Sequence, residues 1–296
     1  MPRADANGVE IEYDEFGSPD APAILLVMGL GMQLLAWREP FCRLLADAGY
    51  RVIRYDNRDT GLSTRFGHLR TPAIPTVVFR GLLGMRQKVA YTLSDMALDA
   101  VGLLDALGIE RAHVVGVSMG GMIGQILAAK HAERVQSLIS IMSTSGHRSL
   151  PRPRREVRQH IFQARPADAS REEVVTHAVR TIELIGSPRY PVDRDTIRAH
   201  AEEAYDRAYY PDGIMRHVGA IIADGNRRSR LRAIRRPSLV IHGTDDPLVP
   251  VEGGMDTAEH IPDAHLELIP GMGHNLPEGL YDQLTDLIAT HAHRNR

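Results

Sequence analysis

Gly116-Val117-Ser118-Met119-Gly120 sets a serine between two glycines at the spacing of a nucleophile elbow. At an average frequency of about 7% per position, three such residues coincide by chance in roughly one chain in ten of this length, so the surroundings decide. They fit: the apolar run 112–117 precedes the serine, and Met122, Ile123, Ile126 and Leu127 follow at helical spacing. A serine hydroxyl is a weak nucleophile until a base takes its proton and an acid orients that base. Gly271-Met272-Gly273-His274 supplies a histidine in a loop directly after the apolar run 265–269. His113, His242 and His265 stand at strand ends and are expected to be packed or at the surface. Between serine and histidine, His242-Gly243-Thr244-Asp245-Asp246-Pro247 offers two carboxylates in one loop, whereas 142–150 contains no Asp or Glu. Adjacent side chains in an extended loop point in opposite directions, so one of Asp245 and Asp246 faces His274. The resulting chain order, Ser…Asp…His, is one in which such a triad occurs after a nucleophile elbow.

These loops need a scaffold, and short apolar runs at 23–28, 52–55, 112–117, 135–141, 238–242 and 265–269 alternate with helical patterns. That alternation predicts a mostly parallel sheet flanked by helices, its strands continuous in apolar residues because both faces are covered. Residues 9–16 alternate instead and fit an edge strand or hairpin arm. A helix is predicted over 93–107, with Ser94 or Asp95 as N-cap. Between 144 and 234 no strand pattern appears and arginines cluster. Ser170-Arg171-Glu172-Glu173 reads as a capping box, and helices are expected over 193–209 and 212–223. This predicts an α/β core of 1–143 and 235–296 with a helical cap inserted at 144–234. Exchanging 149–230 for a linker should then change acyl preference more than reaction with a small activated ester.

Composition narrows the class. The 296 residues carry a net charge of −2, which argues against nucleic acid as a partner. Cys42 is the sole cysteine, so no internal disulfide can form. The start is not a basic segment followed by an apolar core, and the apolar run 21–35 is broken by Pro22, Gly29, Gly31 and Gln33. A cytoplasmic protein without stable membrane insertion is expected. The histidines lack paired metal-ligand spacing, so neither metal nor cofactor is expected.

With Arg54-Tyr55-Asp56-Asn57-Arg58-Asp59-Thr60-Gly61-Leu62-Ser63, the three loops make nearly the whole chain resemble the α/β-hydrolase superfamily. It looks most similar to the branch of aclacinomycin methylesterase and related bacterial esterases and lipases. The shared segments are Val27-Met28-Gly29, the turn at 58–61 and Pro270-Gly271-Met272-Gly273-His274. The resemblance implies an eight-stranded sheet and an oxyanion hole made by the backbone amides of Leu30 and Met119. Many relatives carry His-Gly where this chain has Met28-Gly29, which leaves the Leu30 amide in place. In the resembling families the acid lies three residues after the strand's terminal glycine and four before a proline. Gly243 and Pro250 then select Asp246.

The chain therefore reads as an esterase acting on small to medium apolar esters through an acyl-enzyme, with Met32, Leu34 and Met122 near the acyl pocket. The same triad would serve a thioesterase, a lipase or a carbon–carbon bond hydrolase. The alternative from another class is a ligand-binding protein of the same fold. Haloalkane and epoxide chemistry is disfavoured, because those relatives place a carboxylate where Ser118 stands.

Overall fold

Continuous apolar strands need cover on both faces, and helices provide it here. The computed structural model describes residues 1–69, 88–161 and 169–295, with Thr76 and Arg80. Its strands are β1 (Arg3–Ala6), β2 (Val9–Phe16), β3 (Ala23–Val27), β4 (Arg51–Tyr55), β5 (Ala112–Val117), β6 (Val135–Ile141), β7 (Ser238–Gly243) and β8 (His265–Ile269). They form one eight-stranded sheet in the order β1-β2-β4-β3-β5-β6-β7-β8. β2 pairs antiparallel with β1 and β4, and every other pair is parallel. The sheet is the expected one, and 9–16 is a hairpin arm. Its partner β1 escapes the pattern reading, because Arg3-Ala4-Asp5-Ala6 holds no apolar run. The signal was Asn7-Gly8, whose φ values of 53° and 76° suit a two-residue hairpin turn.

The helices are α1 (Glu39–Asp47), α2 (Leu93–Ala106), α3 (Met119–Lys130), α4 (Arg155–Ile161), α5 (Arg171–Ile185), α6 (Arg194–Ala208), α7 (Pro211–Asp224), α8 (Arg228–Leu231), α9 (Glu252–His260) and α10 (Tyr281–Arg294). Alternate residues of one strand serve two cores. Ala23, Leu25 and Val27 of β3 join Met96 and Ala100 of α2 and Ile123 and Leu127 of α3. Ile24 and Leu26 join Phe41 and Leu45 of α1 and Leu284 and Ile288 of α10. Each buried Leu or Ile contributes roughly 1.5–3 kcal/mol, so these layers hold the strand ends, and the loops on them, firmly in place.

One helix start differs from expectation. The N-cap of α2 is Thr92, whose hydroxyl accepts the Asp95 amide while the Asp95 carboxylate accepts the Thr92 amide. Ser94 instead receives a hydrogen bond from Lys130, and Asp95 is the third helical residue.

Between β6 and β7 lie α4 to α8 and, among the described residues, no strand. Ser170 and Glu173 form the expected capping box, and Asp193 caps α6. Val175 and Val179 of α5 pack on Ile197 of α6. The return to the sheet is fastened by the fully buried Arg227, which binds Gln125 at 3.0 Å, Asp224 at 2.6 Å and the Thr144 carbonyl at 2.8 Å. Ala220, Leu231 and Ile234 belong to the same core cluster as α2 and α3.

Candidate active site

The strand β5 ends one residue before Ser118, which adopts φ 56° and ψ −117° at the N-cap of α3. A non-glycine residue in that region carries strain of order 1–3 kcal/mol. The Ser118 amide donates to Ile141 at 2.9 Å, and the Ser143 hydroxyl donates to the Ser118 carbonyl at 2.8 Å. The flanking glycines are sterically required. A Cβ on Gly116 would lie 2.2 Å from the Gly120 carbonyl oxygen, and one on Gly120 would lie 2.0 Å from that of Val27.

His274 follows β8 and is buried, with Nε2 3.0 Å from Ser118 Oγ and Nδ1 2.6 Å from Asp246 Oδ2. A carboxylate only accepts, so Nδ1 carries the hydrogen and Nε2 is free to accept from the serine hydroxyl. Asp246 Oδ1 accepts the amides of Leu248 at 2.9 Å and Val249 at 2.8 Å. Burial alone would raise the Asp246 pKa. The His274 and His242 imidazoles outweigh it and hold the carboxyl well below the usual range. Asp245 turns away: its Oδ2 accepts from Thr244 Oγ1 at 2.6 Å and from the Gly271 amide at 3.1 Å. The aspartate beside His274 is thus Asp246.

The loop carrying Leu30 passes directly beside the serine, since a Cβ on Gly29 would lie 3.3 Å from Ser118 Cβ and 3.8 Å from its Oγ. Met119 is the first residue of α3, so its amide has no acceptor within the helix and lies at the positive end of the helix dipole. The three expected pocket residues differ in burial. Leu34 has no exposed surface, and its amide donates to Asp56 Oδ1 at 2.7 Å. Met122 joins the core cluster of Met119 and Ile123, because α3 turns that face inward, whereas Met32 is 45% exposed.

Several further residues support the site. His242 donates from Nε2 to the Val249 carbonyl at 2.8 Å and sits 3.5 Å from Asp246 Oδ2, which braces the acid's loop. Asn57 Nδ2 donates to the Met28 carbonyl at 3.0 Å. The turn at 58–61 is wired by buried ion pairs: Arg58 to Asp99 at 2.5 Å and Asp59 to Arg216 at 2.7 Å. Position four residues before the acid, at the strand end, was the available signal for His242. His113, likewise buried, contacts Ser137 at 2.8 Å and is structural. Among the described residues Asp256, Glu259 and His260 cluster, but Asp256 already receives hydrogen bonds from Arg228 and Ser145.

Residues 22–278 match the alpha/beta hydrolase fold family. The chain belongs to that family. It is 29% identical over 303 residues to the rhodomycin D methylesterase DauP of Streptomyces sp. strain C5, covering 96% of this chain and 95% of the relative. The enol-lactonase of Burkholderia xenovorans LB400 superposes with a TM-score of 0.74 at 25% identity, covering 98% of this chain and 99% of that one. The meta-cleavage product hydrolase of Pseudomonas fluorescens IP01 superposes with a TM-score of 0.77 at 20% identity, covering 100% and 98%, a likeness of fold. Within the alpha/beta hydrolase fold family the chain is a hydrolase of the esterase type. No helix of the described residues is long and apolar enough to cross a membrane.

Proposed function

We propose that the chain hydrolyses carboxylic esters by a Ser118–His274–Asp246 triad and an acyl-enzyme. The observation that carries the reading is the unbroken hydrogen-bonded line from Ser118 Oγ through both nitrogens of His274 to Asp246. Ser118 Oγ attacks the ester carbonyl carbon while its proton passes to His274 Nε2. The carbonyl oxygen becomes an oxyanion, received by the Leu30 and Met119 amides; each such donor contributes about 10²–10³ in rate. Collapse breaks the bond to the alkoxide, which takes the proton from His274. Water then repeats the sequence on the acyl-enzyme, releasing the acid and restoring Ser118. Asp246 stays ionised throughout, holding the Nδ1–H tautomer and stabilising the imidazolium.

Small to medium apolar esters are the proposed substrates, and the methylesterase relatives support a small alcohol as leaving group. The helices of 144–234 act as a cap over Ser118. The buried, single Cys42 suits a reducing compartment such as the cytoplasm. A panel of p-nitrophenyl esters of increasing acyl length, with fluorophosphonate labelling of wild type and Ser118→Ala, tests the reading. Labelling and turnover should both vanish in the variant. A wild-type chain that does neither would remove the proposal.

A further inference from the structure

Three consecutive peptides run past Ser118, and each is held. The Met28 carbonyl accepts Asn57 Nδ2 at 3.0 Å. The Gly29 carbonyl accepts the Met32 amide at 3.3 Å, and the Gly31 amide donates to His217 Nδ1 at 3.3 Å. In a trans peptide the N–H points opposite the C=O, so turning the Gly29 carbonyl toward Met32 turns the Leu30 N–H the other way. That orientation lasts only while the neighbouring peptides stay fixed. On the C-terminal side the Gly31 peptide is fastened by an imidazole from α7, in the helical insertion, and Gln33, two residues on, donates to the Ala204 and Ala208 carbonyls of α6 at 2.6 and 2.9 Å.

The imidazole of His217 is suited to the task. It has no exposed surface, and Nε2 lies 2.8 Å from the Arg58 carbonyl oxygen. A carbonyl can only accept and an amide N–H can only donate, so the hydrogen sits on Nε2 and Nδ1 is bare. The ring is therefore neutral, and burial pushes its pKa down to about 4, against the upward pull of the Arg58 carbonyl and Asp59. Arg216 beside it is engaged by Asp59, and the Tyr91 ring packs edge-on at 6.2 Å. The side chain of Ile214, one turn earlier on α7, fills the space against Gly31.

We propose that His217 is a positioning residue for catalysis: through Gly31 it holds the Leu30 amide toward the ester oxyanion, so that the insertion completes the oxyanion hole. The inference rests on the ester-hydrolase reading. Loss of the tie should affect the transition state more than substrate binding, because the oxyanion forms only there.

Two substitutions and one spectroscopic measurement test it. His217→Phe removes donor and acceptor, whereas His217→Gln can restore both. With p-nitrophenyl butyrate, kcat should fall about ten- to a hundred-fold in His217→Phe with KM changed less than about two-fold, as for a catalytic group displaced by about 1 Å. His217→Gln should recover most of kcat. A folded His217→Phe with wild-type kcat, or equal losses in both variants, would overturn the proposal. In ¹⁵N spectra of the wild-type chain, which needs no variant to fold, His217 should be the neutral Nε2–H tautomer from about pH 5 to 9. A cationic or Nδ1–H ring would also overturn it. Fluorophosphonate labelling of wild type and Ser118→Ala decides the triad separately, so failure of either reading is recognisable.

Discussion

The His274 amide donates to the carbonyl of Ile185 at 2.6 Å, so the loop bearing the proposed base is hydrogen-bonded to the last residue of α5. The Gly273 amide, next to it, donates to Ser187 Oγ at 2.9 Å. The insertion therefore grips both the histidine loop and, through His217 and Gln33, the Leu30 loop.

This changes the expectation for excision of residues 149–230. The sequence suggests that a linker in their place would alter acyl preference and spare a small activated ester. With Ile185, Ser187 and His217 removed, turnover of p-nitrophenyl acetate should fall as far as that of longer esters. Kinetics on the acetate and an octanoate, alongside a thermal melt, check this. A folded excised chain with wild-type acetate turnover would show that the two loops hold themselves.

Ser118→Ala and His274→Ala should each lower kcat on the order of 10⁵-fold or more, and the double variant should be no slower than either alone, because triad members act as a unit. The fold should survive, since Ser118 Oγ meets His274 at the site while the elbow's own backbone is held by the Ile141 carbonyl and the Ser143 hydroxyl. Steady-state kinetics of the three variants, with melts, decide it. A double variant markedly slower than both singles would assign the two residues separate roles.

What was legible in the sequence follows from the range of the interactions. β3, β5 and β7 are buried along their whole lengths, so a continuous apolar run marks each one. The elbow and the acid loop follow β5 and β7, whereas the histidine loop follows the edge strand β8, of which only Ile269 is buried and which is less continuously apolar than expected; glycines and prolines mark all three loops locally. Asp246 was separable from Asp245 only by resemblance to known families, because which of two adjacent carboxylates turns inward depends on the Leu248 and Val249 amides. The bonds from Gly31 to His217 and from Gly273 to Ser187 span 186 and 86 positions. No periodicity or spacing encodes such a pairing. Leu34 and Met122 are buried, and an apolar residue near a loop looks the same in sequence whether it lines a pocket or fills the core.

The two carboxylates of one loop should behave very differently. Asp246→Asn keeps the shape but loses control of the His274 tautomer, and kcat should fall about 10⁴-fold. Asp245→Asn should leave kcat within about ten-fold. The bond from the Gly271 amide to Asp245, at 3.1 Å, is lost or weakened, at about 1 kcal/mol of stability. Turnover of both variants checks this, and an inactive Asp245→Asn beside an active Asp246→Asn would reverse the assignment.

Acid stability should report on His217 directly. Its pKa stands at about 4 in the fold, against 6.5 for the free side chain, chiefly because burial disfavours the charged ring. Between those values the unfolded chain binds more protons than the folded one, so stability rises with pH across the interval. The contribution is complete above about 6.5 and lost as the pH falls through about 4, and it corresponds to roughly 3 kcal/mol. Asp246 acts with the same sign but in a lower window, since its folded pKa lies below the ordinary 3.8. His200 and His291 are also depressed, each mainly by burial, and remain in any His217 variant. The difference between wild type and His217→Gln therefore isolates His217. Urea unfolding at intervals from pH 4 to 7 should give a smaller loss of stability toward acid in His217→Gln than in wild type. Parallel profiles for the two would mean that His217 gains a proton as readily in the folded chain as in the unfolded one, contrary to a bare Nδ1 engaged by the Gly31 amide.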